Sequence, residues 1–393
     1  MVSIPTDLPA LTPDEQAHSD LLLERIRAEI AACGGWLSFA RFMEMALYEP
    51  GLGYYSAGSR KLGRDGDFVT APEVSALFSR CLAAQCAEIL ERLGGGDILE
   101  LGAGSGVMAA DLLIELQARA ALPTRYLILE VSADLRERQQ ALLAERAPHL
   151  LERVQWLDGL PSGLRGVVLA NEVLDALPVE RFCIRGSHVN ALGVTWQLGQ
   201  LDWSEVRAEP ALEAAVRDIE QALGAPLPDG YVSEVNLRLN PWMRGIGAAL
   251  DSGVALFIDY GLPRRQYYRP ERREGTLLCH FRHRFHDRPL IHVGMQDIGA
   301  WVDFTAVAEA GVAAGLEVAG FTTQAHFLIG CGIDELLSGL PDEELTARVQ
   351  LAREAMVLTL PGEMGERFKV IGLSARYTHP LRGFAIRDLT PSL

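Results

Sequence analysis

The sequence predicts an α/β fold built on a doubly wound, mostly parallel sheet. From residue 97 onwards, short apolar segments alternate with segments of helical periodicity. That alternation is typical of repeated β-α-β units, whose helices cover both faces of a sheet. In addition, 49% of the 393 residues are hydrophobic, so the chain can bury a large core.

The first 93 residues predict helices and a long loop instead of this alternation. Apolar residues between 18 and 33 follow a helical spacing, and a second helix is predicted between Ser38 and Pro50. Residues 51–70 are rich in glycine and aromatic side chains and have no regular period, which is typical of a functional loop. We therefore expect residues 1–93 to form an N-terminal helical cap with a loop for substrate and cofactor.

The end of this cap is predicted from a capping motif. Thr70-Ala71-Pro72-Glu73 has the form of a capping box, in which a Thr side chain and a Glu side chain satisfy the first amides of a helix. The predicted helix runs from there to about Leu93, and three successive glycines end it.

The core is predicted for residues 94–393, with an insertion at 178–250. Buried strands are expected at 97–102, 125–132, 154–159, 166–173 and 254–261. Helices are expected at 107–120 and 133–146, and the tail adds a helix near 303–315 and strands near 316–321 and 368–375. Within the insertion, antiparallel strands are expected at 181–186, 188–203 and 231–239, with a helix near 211–223.

Charge and cysteine spacing exclude several classes of protein. A formal net charge of −16 opposes general binding to nucleic acid. The six cysteines form no C-x-x-C pair, so no metal site is predicted. The first residues have neither a cationic start nor an apolar core segment, and no run is long enough to span a bilayer. From these features we expect a cytoplasmic protein.

A glycine-rich turn follows the first core strand. Gly102, Gly104 and Gly106 have the spacing G-x-G-x-G and open a helix, whose free amides can contact a ligand. A dinucleotide fold would require Gly or Ala where Val107 stands, so that template fits poorly. The spacing, with acidic Glu100 just before it, is the form seen in S-adenosylmethionine enzymes. The alternative is a plain strand-to-helix turn.

Polar residues at the ends of the next strands extend this prediction. Glu130 ends the second core strand, where a carboxylate can accept hydrogen bonds from both ribose hydroxyls. Asp158 follows the third strand and can accept from an adenine amino group, or it can simply form an Asp-Gly turn.

The fourth core strand ends in a group of acidic and amide side chains. Asn171, Glu172 and Asp175 lie where ligands bind in open α/β sheets, and they therefore face the transferred methyl group. The Asn/Asp-Pro-Pro-aromatic motif of base N-methyltransferases is not present, and the carboxylates favour a cationic acceptor. Alternatively, Asn171 or Asp175 caps a helix. Asp259 and Tyr260 end the fifth strand and are further candidates.

Several longer motifs resemble the MidA family of methyltransferases, whose eukaryotic members act in assembly of mitochondrial respiratory complex I. The resemblance covers roughly residues 20–380. The motifs, in chain order, are FMEMALYEPGLGYYS, GDFVTAPEVSALF, ILELGAGSGVMAADLL, NEVLDALPVERF, FIDYG and GTLLCHFRHR, followed by GMQDIGAWVDFT. The resemblance implies a seven-stranded sheet, S-adenosyl-L-methionine as cofactor and methylation of an arginine in a protein, with symmetric dimethylation of a complex I subunit by the mitochondrial members.

The resemblance also implies site residues. It places Gly66, Asp67, Thr70 and Glu73 near the cofactor or substrate cleft, although Thr70 and Glu73 can also simply cap their helix.

If the methyl acceptor is an arginine, its chemistry indicates which residues are candidates for catalysis. Its guanidinium stays protonated, so paired carboxylates can hold it and localise its charge away from the attacking nitrogen. Glu172 and Asp175 are the first candidates for this clamp, and Asp259 with Tyr260 the second. The side chains that can wall the cleft or assist the substrate are Tyr54, Tyr55, Phe68, His280 and His283, and structural roles are open for all five.

Other functions remain open at this point. The chain can be a methyltransferase of a small molecule, or a cofactor-binding assembly factor without catalysis; a nicotinamide dehydrogenase is disfavoured by Val107. A wide groove beside the insertion would favour a polypeptide substrate, and a closed pocket a metabolite. A homodimer is common among such enzymes, but no sequence feature decides it.

Overall fold

The computed structural model describes residues 8–57, 69–338 and 345–393. The strands are β1 (Leu37–Ser38), β2 (Asp97–Leu101), β3 (Tyr126–Leu129), β4 (Val154–Leu157), β5 (Leu164–Asn171), β6 (Glu180–Arg185), β7 (His188–Gln197), β8 (Gln200–Arg207), β9 (Val232–Val235), β10 (Leu250–Leu262), β11 (Leu278–Phe281), β12 (Arg284–His286), β13 (Asp297–Gly299), β14 (Val302–Asp303), β15 (Glu317–Thr323) and β16 (Phe368–Ala375).

The helices begin with the N-terminal pair and end beside the last strand. They are α1 (Pro13–Ala32), α2 (Phe39–Tyr48), α3 (Ala71–Val74), α4 (Ala76–Leu93), α5 (Val107–Ala118), α6 (Ala133–Arg146), α7 (Pro210–Leu223), α8 (Leu239–Ala249), α9 (Arg264–Tyr267), α10 (Phe304–Ala313), α11 (Gln324–Gly330), α12 (Ile333–Ser338), α13 (Leu345–Thr359) and α14 (Met364–Arg367). Among the described residues, none of these helices is both long and apolar enough to cross a membrane.

The central sheet has the predicted mostly parallel character. Its strand order is β15-β16-β10-β5-β2-β3-β4, and β14 pairs alongside β10. Strands β2, β3, β4, β5 and β10 are parallel, whereas β16 runs antiparallel between β10 and β15. The short β14 makes this an eight-stranded sheet, so the expected count of seven strands differs by one. A two-residue strand carries too little pattern to be predicted from sequence.

Helices cover both faces of the sheet because apolar residues point alternately to its two sides. Ile98 and Val167 belong to the core beneath α4 and α5. Their neighbours Leu99 and Val168 belong to the opposite core, beneath α8 and α10. This is the doubly wound arrangement that the near-continuous apolar strands predict.

The strands of the insertion form an antiparallel sheet with β1 of the N-terminal part. Its order is β1-β7-β6-β9, with β8 on the other side of β7. The second predicted strand, 188–203, is two strands, β7 and β8, because the chain turns at Leu198 and Gly199, which both have positive φ.

The third predicted strand is too long, because β9 ends at Val235 and α8 begins at Leu239. Leu239, Met243 and Ile246 are all buried, and their spacing of four and three residues is helical.

The predicted helix from Thr70 to Leu93 is two helices. Ser75 adopts an extended backbone between α3 and α4, and its side chain accepts a hydrogen bond from the amide of Leu77 at 3.3 Å. The capping box is wrong, since the Thr70 side chain makes no capping hydrogen bond. A serine that caps the second helix competes with continuation of the first.

A three-stranded sheet, β12-β11-β13, was not predicted. Its hairpin turns at Arg282 and His283, both of which have positive φ. Arg282 forms an ion pair with Glu15 of α1. Cys279 and Ile298 of this sheet share a core with Phe42 of α2 and Val194 of β7. The N-terminal helices, the insertion and this small sheet therefore pack together above the carboxyl edge of the central sheet.

Candidate active site

A cavity of about 260 Å³ lies at the carboxyl ends of β2, β3 and β5. It contains many of the residues that the sequence singled out. The predicted residues that line it are Tyr55, Thr70, Glu73, Glu100, Gly102, Gly104, Glu130, Asn171 and Glu172. The predicted residues outside its lining are Tyr54, Gly106, Asp158, Asp175, Asp259, Tyr260, His280 and His283. Gly66, Asp67 and Phe68 lie outside the described residues.

The glycine-rich turn has the backbone that its sequence requires. Gly102, Gly104 and Gly106 have φ values of +64°, +54° and +86°, which favour glycine. A Cβ atom on Gly106 would lie 3.2 Å from the Cα atom of Gln139. The Gln139 side chain in turn donates to the Gly104 carbonyl at 2.9 Å. Gly102 and Gly104 thus face the cavity, whereas Gly106 allows the turn to pack against α6.

Two buried carboxyls flank this turn. Glu100 accepts a hydrogen bond from the Tyr126 hydroxyl at 2.6 Å, and burial raises the pKa of Glu100 to about 7. Glu130 accepts from the amide of Ser132 at 3.0 Å and from the Gln139 side chain at 3.1 Å. Burial raises the pKa of Glu130 above its usual value. Both side chains are therefore fixed in position before any ligand arrives.

The N-terminal segment closes over the turn. Glu73 accepts a hydrogen bond from the Ser105 hydroxyl, which ties α3 to the glycine turn. Tyr48 and Tyr55 both line the cavity, and their rings stack with centroids 5.6 Å apart. Tyr54 is buried but does not line the cavity. Tyr48 was not predicted, because an aromatic residue near the end of an amphipathic helix usually packs in the core.

Asp158 does not reach the cavity. Its side chain is 93% exposed and forms an ion pair with Arg136 at 2.8 Å. Leu160, two residues further on, lines the cavity instead. The adenine contact predicted for Asp158 is thus at odds with its exposed position.

Glu172 lines the cavity and has an unusual backbone conformation. Its φ is +52°, a region that residues other than glycine rarely adopt and that is found at functional sites. Its side chain accepts hydrogen bonds from the Asn171 side chain at 3.1 Å and from the amide of Ala71 at 3.4 Å. Burial, and then the charge of Asp175, raise the pKa of Glu172 to about 8.

Asp175 is buried three residues after Glu172 and does not line the cavity. Its Oδ2 atom accepts a hydrogen bond from the Tyr260 hydroxyl at 2.7 Å. Its Oδ1 atom is buried and has no hydrogen-bond partner within the described part of the chain. Burial, and then the charge of Asp297, raise the pKa of Asp175 to about 7. A buried carboxylate oxygen without a donor favours a cation nearby.

Asp259 and Tyr260 contact Leu174 and Asp175 and do not line the cavity. Asp259 accepts hydrogen bonds from the amides of Leu174 at 2.9 Å and of Asp175 at 3.2 Å. Tyr260 holds Asp175, as described above. Asp259 and Tyr260, the second clamp predicted from the sequence, therefore hold the backbone and side chain of Asp175, which belongs to the first predicted clamp.

Asp297 of β13 is the acidic residue that sequence reasoning missed. It accepts a hydrogen bond from the Tyr55 hydroxyl at 2.8 Å, and its Oδ2 atom lies 3.7 Å from Nδ1 of His280. His283, by contrast, is exposed at the tip of the hairpin. Asp297 is part of the family motif GMQDIG, but nothing in its local pattern distinguishes it from a surface aspartate.

The chemistry of the cavity suits an adenosyl cofactor beside a cationic acceptor. The glycine-rich turn leaves room for a ligand, Glu130 presents a carboxylate at a strand end, and Glu172 lines the same cavity. Over the described ranges, no group of three or more His, Cys, Asp or Glu side chains is placed to hold a metal ion.

The chain is similar to known methyltransferases. Residues 81–322 match the family model described as S-adenosyl-L-methionine-dependent methyltransferase. The mitochondrial protein arginine methyltransferase NDUFAF7 of Mus musculus is 30% identical, with 92% of this chain and 86% of the relative covered. The NDUFAF7 homolog of Drosophila melanogaster is 27% identical, with coverages of 94% and 88%. A crystal structure from Burkholderia thailandensis with bound S-adenosyl-homocysteine has a TM-score of 0.94 at 40% identity and covers 98% of this chain and 100% of that chain.

These relatives also correct one prediction. The mouse and fly proteins are both named mitochondrial. The prediction of a purely cytoplasmic protein is therefore wrong.

Proposed function

Because the chain belongs to the family of S-adenosyl-L-methionine-dependent methyltransferases, we propose that it methylates the guanidinium group of an arginine in a protein. One observation carries the choice of acceptor: Glu172 lines the cavity, and the buried Asp175 three residues later has an Oδ1 atom without a hydrogen-bond partner among the described residues. The name of the mouse relative, a protein arginine methyltransferase, supports the same acceptor.

The residues of the cavity fit the cofactor. We expect the backbone of Gly102 and Gly104 to contact the methionine part, Glu130 to accept from the ribose hydroxyls, and Glu100 to favour the cationic groups by its charge. Ser105, bound to Glu73, completes the cradle from the N-terminal side. When bound, the cofactor supplies a methyl group on a positively charged sulfur.

The acceptor would be held by charge and shape. A guanidinium placed against Glu172 gains a charge-assisted hydrogen bond, and Asp175 adds a second negative charge behind it. Since the guanidinium is always protonated, methylation has to remove one of its protons. Glu172, with a pKa of about 8 in the free protein, can accept that proton close to neutral pH.

The other predicted site residues would position this pair. Asp259 holds the backbone of the turn through two amides, and Tyr260 orients Asp175. We propose residues 1–93 as the cap that excludes water and residues 94–393 as the catalytic core. In this view the stacked Tyr48 and Tyr55 form the wall beside the acceptor.

We extend the proposal to the partner that the family resemblance implies, a subunit of a respiratory complex. A homodimer is also proposed, and light scattering of the purified chain tests it. The protein substrate can be tested more directly, because methylation leaves a stable covalent modification on it.

The test combines binding and transfer. Calorimetry with S-adenosylmethionine and with NAD should show binding of the first alone. Methyl-labelled cofactor, added with the protein to extracts of cells that lack it, should label a protein, and mass spectrometry should find the label on arginine. Glu172→Gln should bind the cofactor and lose the transfer. Label on a metabolite, or on another residue type, would contradict the proposal.

A further inference from the structure

A second cavity, of about 780 Å³, lies between the insertion and the core. Helix α7 and the segment from the end of β9 to the start of α8 line it from the insertion, and α9, α10 and the link between β13 and β14 line it from the core. Its volume falls within the roughly 300–1,000 Å³ that is typical of ligand sites. Exposed residues such as Gln221 of α7 and Ala313 of α10 belong to its lining, so the second cavity opens at the protein surface.

The acidic segment after β5 separates the second cavity from the first one. Glu172, Val173 and Ala176 line the first cavity. Leu174 and Val179 of the same segment line the second. Two residues of chain span at most about 7 Å, so the Cα atoms of Glu172 and Leu174 are no further apart than that. The second cavity therefore begins next to the residue proposed to bind the arginine.

The inner part of the second cavity is aromatic and rigid. Tyr267 and Tyr268 both line it and are buried. The Tyr267 hydroxyl forms a hydrogen bond with Thr276 at 2.9 Å, and the Tyr268 hydroxyl donates to the backbone carbonyl of Glu234 at 2.8 Å. Because both hydroxyls are already bonded, a ligand would meet mainly the rings. Such a surface suits the hydrocarbon stem of a lysine or arginine side chain.

The lining of the second cavity is also negatively charged. Among the described residues it contains one guanidinium, that of Arg264, and four carboxylates, those of Asp218, Glu234, Asp303 and Glu309. Arg264 is shared between Asp303, at 3.2 Å, and Glu309, so these three side chains keep one net negative charge. Asp218, exposed on α7, adds another. A negative opening above an aromatic floor is complementary to a positive charge on a long apolar stem.

Given the proposed arginine methylation, on which this step rests, we infer that the second cavity binds a basic segment of the protein substrate, close in sequence to the methylated arginine. The stems of its lysine or arginine side chains pack on Tyr267 and Tyr268, and their charged ends pair with Asp218 and Glu309. A groove beside the insertion is the feature expected of an enzyme that acts on a polypeptide, since the residues around the acceptor also need a binding surface. Such contacts set which arginine is chosen without taking part in the transfer.

The experiment uses two synthetic peptides with a single arginine, one flanked by lysines and the other by glycines. Asp218→Lys reverses a charge of the second cavity, and Ala222→Trp fills it from α7. The matched control is Glu91→Lys, the same change of charge at an exposed residue of α4, on the opposite face of the central sheet. Calorimetry with S-adenosyl-homocysteine shows that each variant is folded. Initial rates give KM and kcat for both peptides.

A binding measurement separates docking from transfer. Fluorescence anisotropy is recorded with a labelled lysine peptide in which glutamine replaces the arginine, at low and high salt. The wild type should bind this peptide, and more weakly at high salt, because ions screen the exposed charges. Asp218→Lys and Ala222→Trp should bind it more weakly than the wild type at either salt concentration.

We expect the KM of the lysine-flanked peptide to rise about tenfold in Asp218→Lys. One exposed ion pair contributes up to about fivefold in affinity, and the reversed charge also repels the peptide. Ala222→Trp should raise this KM as well, because it removes space. The kcat values, the rates with the glycine-flanked peptide and all values for Glu91→Lys should stay at the wild-type level.

Equal KM values of the two peptides in the wild type, or an equal loss in Glu91→Lys, would overturn the inference. Free lysine amide that competes as strongly as the lysine peptide would also overturn it, because the second cavity would then bind a metabolite. A wild-type chain that binds the lysine peptide but methylates neither arginine peptide would instead overturn the proposed function, while the second cavity would still bind a basic chain.

Discussion

The affinity of the protein for an arginine side chain should rise steeply with pH. The reason is that Glu172, the carboxyl group proposed to bind the arginine, is mostly protonated in the free protein. The pKa of Glu172 is raised to about 8 by burial and by Asp175. At pH 7 a carboxyl with that pKa is ionised in roughly a tenth of the molecules, and at pH 9 in roughly nine tenths. Since only the ionised form pairs with the cation, the dissociation constant should improve about tenfold between these pH values.

The assay is calorimetric titration with an arginine-containing peptide in the presence of S-adenosyl-homocysteine. In buffers of different ionisation enthalpy at pH 7, binding should release close to one proton, because the bound guanidinium lowers the pKa of Glu172. Glu172→Gln should bind more weakly and lose most of the pH dependence, leaving only the smaller contribution of Asp175, whose pKa is about 7.

A matched control uses the opposite edge of the sheet. Asp251 is on β10, at the end remote from the cavity, and its side chain is 58% exposed. Asp251→Asn should bind the peptide with the wild-type pH dependence. Affinity that is independent of pH in the wild type, or an equal slope in Glu172→Gln, would refute the assignment of Glu172 as the clamp.

Three further outcomes follow from the same geometry. Gly104→Val should abolish binding of S-adenosylmethionine, because φ at this position is +54°, which valine rarely adopts. Wild-type affinity in calorimetry would contradict the assignment of the glycine-rich turn as the cofactor site. Glu73→Gln weakens a charge-assisted hydrogen bond to Ser105, which contributes about 1.5–3 kcal/mol. Cofactor affinity should therefore fall roughly tenfold. An unchanged affinity would show that α3 is not coupled to the glycine-rich turn. Asp259→Ala removes the acceptor of the Leu174 amide and should lower the free energy of unfolding in urea by about 1–3 kcal/mol. Wild-type stability would argue against a role of Asp259 in fixing the backbone at Leu174.

Stability should also fall as the pH rises. The pKa of Asp259 is well above its usual value in the folded chain, so the folded state binds more protons than the unfolded one in that range. The free energy of unfolding therefore decreases from about pH 4 upward until the folded-state pKa is passed. Thermal melts across pH 4 to 8 measure this, and a midpoint that rises toward neutral pH would contradict it.

The local pattern of the sequence determined the core fold and the cofactor turn. The helix predicted at 133–146 is the observed Ala133–Arg146, because its apolar spacing and the capping Ser132 are both local. The strands around the glycine turn were predicted for the same reason. In a parallel sheet each strand is buried on both faces, and this leaves a near-continuous apolar run in the chain.

Tertiary structure alone decided which acidic residues meet. Glu172, Asp175 and Asp259 look equivalent in sequence, yet only Glu172 lines the cavity, while Asp259 binds backbone amides beneath it. Asp297 lies further along the chain and is placed near them by a small sheet that was not predicted, whereas Asp158 is exposed and pairs with Arg136. Periodicity reports which face of an element is buried, but the meeting of side chains depends on how distant elements pack, and no local pattern records that.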